Sequence, residues 1–101
     1  MGGLFSMIPG AVDLSSATEA GISEEMAATT AAGAAALTGV MPMGTDADSV
    51  AFAAALNAAG AAYLAATAEH VGQRAAFAGT QGLASATGTA VDAINSGNLT
   101  L

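Results

Sequence analysis

The chain has 101 residues, 53 per cent of them apolar, with no cysteine and a net charge of −7 from eight acidic residues against Arg74 alone. That charge argues against nucleic acid as a partner, because phosphate binding needs clustered Lys and Arg, and it disfavours an anionic membrane surface for the same reason. Without thiols there are no disulfides, no thiol catalysis and no thiolate metal sites.

No break in composition marks a linker, so the length reads as a single small domain. Twenty-nine of the 54 apolar residues are alanine, which leaves few larger side chains to form a core. Two helices of this composition touch along one seam only. Each then leaves an apolar flank in water, and a partner is the expected remedy.

Taken in order, residues 1–8 form an apolar arm with Leu4, Phe5, Met7 and Ile8, and Pro9 suits the first turn of a helix. Met1 to Ser6 has the loose spelling of a myristoylation signal, read as a chance match because no basic patch accompanies it. The arm lacks the basic start of a secretory signal.

A first helix is expected over about 9–38, its larger apolar residues at Val12, Ile22, Met26 and Leu37, with Asp13, Glu19, Glu24 and Glu25 on other faces. Gly21 costs about 1 kcal/mol relative to alanine in mid-helix. With Ser15, Ser16 and Ser23 nearby as caps, a kink or restart is expected there. The stretch from Gly39 to Ser49 is where stop and start signals meet. Gly39 is a candidate left-handed C′ residue and Pro42 cannot continue a helix. Thr45 stands three residues before Asp48, an approximate capping box, so a turn over about 39–45 leads into a second helix over about 46–86.

In that helix Leu56, Tyr63, His70 and Phe77 recur every seven residues, continued by Ala84 and Val91, and Val50, Asn57, Leu64 and Val71 run beside them. With Phe52 they form a stripe wider than a two-stranded seam, interleaved with small residues that let another backbone approach. Gly79, Gly82 and Gly88 weaken the helix, and 87–101 reads as a mobile tail. The span Val50 to Ala68 is uncharged and nearly long enough to cross a bilayer. Its apolarity is mostly alanine, Asn57, Gly60 and Thr67 interrupt it, and no Lys or Arg precedes Arg74 to set an orientation.

Catalytic readings find little support. His70 is the lone histidine; Glu69 beside it points about 100° away, and Arg74 lies on its face at i+4. Glu24 and Glu25 point apart, no His-x-x-x-His pair exists, and neither a nucleophile elbow nor a phosphate-binding glycine loop is present. The expectation is a non-enzymatic chain with no cofactor and no metal site. Asn98-Leu99-Thr100 spells a glycosylation acceptor, read as accidental.

Pro9, Gly39-Val40-Met41-Pro42, Asp46, Ser49 and the segment Gly88-Thr89-Ala90-Val91-Asp92 resemble, in order and spacing, the landmarks of the mycobacterial PE family. The resemblance covers nearly the whole chain. It implies an all-α antiparallel helical hairpin that completes a bundle with a PPE-type partner as a heterodimer. It also implies export by the type VII secretion machinery, with the protein cytoplasmic beforehand and secreted or at the cell surface afterwards. Two hallmarks depart: Gly10 stands in place of the Glu of Pro-Glu, and Gly88 in place of the Tyr of a terminal Tyr-x-x-x-Asp/Glu motif, with Asp92 its surviving acidic member. That motif is part of the family's export signal, so Gly88 puts export in question and leaves the pairing surface largely untouched.

The residues expected to line the seams, against the first helix and the partner, are Phe52, Leu56, Tyr63, Leu64, Val71 and Phe77, with Val12, Ile22, Met26 and Leu37 opposing them. The rival expectations are a membrane-active helical hairpin and self-association into a homo-oligomeric bundle or filament through the same stripe.

Overall fold

The computed structural model describes residues 6–100, which form two helices, α1 (Pro9–Thr38) and α2 (Ala47–Leu99), and no strand. The fold is the expected all-α antiparallel hairpin. The Ile8 carbonyl accepts from the Ala11 and Val12 amides, which puts Pro9 at the first helical position, where its missing N–H costs nothing. Leu4 and Phe5 of the expected arm lie outside the described residues.

Three local expectations are corrected. α1 runs through Gly21 without a break. Ser15 and Ser16 are engaged elsewhere: Ser16 Oγ donates to the Ala78 carbonyl at 2.6 Å, and Ser15 Oγ accepts from Gln81 Nε2 at 2.8 Å, while Ser23 Oγ is buried without a hydrogen-bond partner. α1 ends at Thr38, as Gly39 and Pro42 suggest, but Gly39 does not take a left-handed conformation. It is needed for room, since a Cβ there would lie 2.6 Å from the Ala35 carbonyl oxygen. The cap of α2 is Asp46, not Thr45. Its carboxylate accepts from the Ser49 amide at 3.0 Å and from the Ser49 hydroxyl at 2.8 Å, an N-cap bond to the third helical residue.

Those two bonds hold the Asp46 carboxyl below its ordinary pKa. A carboxylate whose folded pKa is depressed contributes stability above its unfolded pKa and loses it as pH falls through the folded value. The melting temperature should therefore exceed that of Asp46→Asn at neutral pH, and the gap should close on titration below about pH 4.

α2 continues to Leu99, well beyond the end expected near residue 86. The glycines that predict fraying are compensated by contacts with α1 and the residues just before it: Gly82 lies beside the Ser16 hydroxyl, Ser85 Oγ donates to the Pro9 carbonyl at 3.2 Å, and Gly88 lies under the Met7 thioether.

The described residues divide into two compact units, each an antiparallel pair of helix segments. One joins the chain up to Ile22 with the chain from Arg74 onward. There Pro9, Val12, Ser16 and Glu19 of α1 and Arg74, Ala78, Gln81, Ser85 and Gly88 of α2 are buried or half-buried. Arg74 Nη1 pairs with Glu19 Oε2 at 3.1 Å. Partly exposed pairs of this kind contribute about 0–1 kcal/mol; the larger effect of polar groups at seam positions is to fix register.

The other unit is Ser23–Gln73. Its buried or half-buried residues include Ser23, Met26, Thr30 and Leu37 of α1 and Ala53, Asn57, Gly60, Leu64, Thr67 and Val71 of α2. In both units these positions alternate by three and four, the spacing of a coiled-coil seam, but the residues are mostly small or polar. Among the described residues no large side chain is fully buried; the most covered are Ala53, Ala78, Ser23 and Ser85.

Candidate partner-binding surface

The α2 stripe expected to line the seams is thereby split. Leu64 and Val71 sit at seam positions and are half-buried, as are Val12, Ile22, Met26 and Leu37 of α1. Leu56, Tyr63, His70 and Phe77 each stand one residue before a seam residue, about 100° round the helix, and all four are exposed.

In the Ser23–Gln73 unit the approach of the helices explains this split. Gly60 is buried against the α1 backbone, where a Cβ would collide with the Leu37 carbonyl. Asn57 grips the chain as it leaves α1: its Oδ1 accepts from the Val40 amide at 2.8 Å and its Nδ2 donates to the Val40 carbonyl at 3.1 Å. Small side chains at the seam bring the backbones together and leave no room there for Phe52, Leu56 or Tyr63. These project along the flank with exposures of 62, 40 and 59 per cent.

Two open apolar cavities lie on that flank and share Val40 and Leu56. The first, about 320 Å³, is walled by Met41, Met43 and Phe52, with Asp48 at its edge. The second, about 370 Å³, is walled by Leu37, Ala59 and Tyr63. A third, about 220 Å³, is bounded by Ala27, Thr30, Thr67, Ala68 and Val71. Shallow apolar cavities of this kind between helices accept side-chain knobs from another helix.

In the other unit Phe77, Leu83, Val91 and Ile94 are exposed. Gly10 is exposed, and nothing lies within 4 Å of where its Cβ would stand. Gly88 differs: a Cβ would strike the Met7 Cε, the movable end of a flexible side chain. Asp92, one turn further along α2, is exposed.

Five contributors escape the sequence pattern. Asn57 falls in an apolar line, where a polar residue is the available sign of a specific contact. Ser16 and Gln81 carry hydrogen bonds between the helices, and Met41 and Met43, on either side of Pro42, wall the first cavity. Among the described residues no group of three or more His, Cys, Asp or Glu is placed to hold a metal ion.

Neither a curated protein nor a solved structure matches the chain. A family model does: that of the PE family, over residues 5–95. Its coverage embraces nearly all of both helices and the turn with its cap, and the chain belongs to the PE family.

Proposed function

We propose that this chain is a non-enzymatic interaction protein that pairs one-to-one with a PPE-type helical protein and is exported with it by a type VII secretion system. The observation that carries the reading is the apolar flank of Phe52, Leu56 and Tyr63 left in solvent beside two cavities, with Phe77 exposed in the other unit. The partner should be apolar at the centre of its contact and basic at its rim, because this chain offers Asp48 at the first cavity and commits its one arginine to Glu19.

Co-expression of the tagged chain with PPE-type candidates tests the pairing: a stoichiometric complex supports it, and a chain recovered alone from every co-expression overturns it. Export is tested separately. Gly88→Tyr supplies the aromatic of the terminal motif one turn before Asp92, and its Cβ meets only the movable Met7 side chain. It should raise the amount of the pair in culture filtrate while leaving its intracellular amount unchanged; equal export of both forms would show that position 88 does not limit secretion.

One observation favours a second reading. Ala47–Leu99 is long and apolar enough, by length and composition, to cross a membrane. Retention in the carbonate-insoluble fraction would favour a membrane-active hairpin, and full recovery in the soluble fraction would remove it.

A further inference from the structure

The chain carries five methionines, and the four described ones stand in contrasting places. Met26 is half-buried at a seam position, and Met7 is half-buried over Gly88. Met41 and Met43 are 80 and 95 per cent exposed. They lie in the non-helical segment between α1 and α2, on either side of Pro42, and both wall the 320 Å³ cavity with Phe52 and Leu56. Thioethers here serve as adaptable apolar surface, and nothing shields them from a dissolved oxidant.

We propose that Met41 and Met43 form a reversible oxidation site that switches this cavity from apolar to polar, with a hydroperoxide as the oxidant. The thioether sulfur attacks the terminal peroxide oxygen, the O–O bond breaks, and an S=O bond forms. Hydrogen peroxide leaves as water, so that sulfur loses two electrons and the peroxide gains them. Each sulfoxide sets a strong dipole and a new acceptor in the apolar wall, where a partner's apolar side chain would leave it unsatisfied. Reduction by methionine sulfoxide reductases restores the thioether. Loss of partner docking on oxidation rests on the pairing reading above; the site of oxidation does not.

The test has two arms. The purified full-length chain is titrated with hydrogen peroxide and its peptides are weighed by mass spectrometry, with helicity followed by circular dichroism. Met41 and Met43 should each gain one oxygen about ten-fold faster than Met7 and Met26, with helicity retained. Equal rates at all four would overturn the proposed site. In the second arm the oxidised chain should bind its co-expressed partner about ten-fold more weakly than the reduced chain, and a Met41→Leu/Met43→Leu variant should keep its affinity through the same treatment. Selective oxidation with unchanged affinity would overturn the switch. Absence of pairing in the reduced chain as well would instead remove the pairing reading, and the first arm alone would then decide the oxidation site.

Discussion

Gly60→Ala should destabilise the hairpin by about 1–3 kcal/mol, the usual cost of forcing extra atoms into a packed contact. At an exposed mid-helix position the same change stabilises by up to about 1 kcal/mol. The inversion comes from the Leu37 carbonyl, which occupies the space a Cβ at position 60 would take. The obstacle is backbone rather than a movable side chain, so relief requires the helices to separate, and the bonds from Asn57 to Val40 one turn away are strained with them. Gly72 is the control, because nothing lies within 4 Å of a Cβ there. Thermal melts followed by circular dichroism, on the chain or on its complex, should show Gly72→Ala melting at or above the parent and Gly60→Ala below it. Equal melting of the two variants would mean that the helices do not approach as closely as Gly60 indicates.

Tyr63→Glu should abolish pairing while leaving the free chain folded. Tyr63 is 59 per cent exposed, so a carboxylate is hydrated there in the free chain. In a complex that covers Leu56 and the neighbouring cavity, the same carboxylate would be buried without a counter-charge. Loss of an aromatic anchor at such a point costs about 2–4 kcal/mol, roughly thirty- to thousand-fold in affinity. Ala65→Glu makes the comparison decisive, since position 65 is about 200° away round α2. Phe77→Glu extends the test to the second unit. Co-purification of the Tyr63→Glu chain at parental yield would show that this flank is not the contact.

Both predictions turn on the difference between the line of large residues and the line that packs inward. A hydrophobic pattern identifies the helices, and the ends of α1 follow from Pro9, Gly39 and Pro42. It does not separate the inward seam from the outer flank, because Leu56, Tyr63 and Phe77 carry the stronger seven-residue signal while the inward positions hold Ala53, Gly60, Thr67 and Ala78. Apolar patterning measures transfer from water; close backbone approach depends on the absence of side chain, which leaves no hydrophobic signal at all. The far end of α2 is hidden from the sequence for a related reason. Helix propensity penalises Gly82 and Gly88 locally, whereas Gly88 leaves room for Met7 and position 82 packs beside Ser16 of the facing segment. Asp46 in place of Thr45 as the cap is a one-residue choice between two good capping residues, decided by where Ser49 falls at the third helical position. The family relation is legible from the order and spacing of landmarks around the turn and the segment ending at Asp92, where each motif taken singly is weak.

The most direct measurement is the light-scattering mass of the purified chain over a range of concentrations, alone and after co-expression with a PPE-type protein. An apolar flank awaiting a different partner predicts a lone chain whose mass climbs with concentration without reaching a plateau, and a co-expressed pair that holds a constant one-to-one mass. A lone chain that settles at a defined oligomeric mass, and forms no complex on co-expression, would mean that copies of this chain already cover the flank of Phe52, Leu56 and Tyr63, which contradicts the proposed pairing.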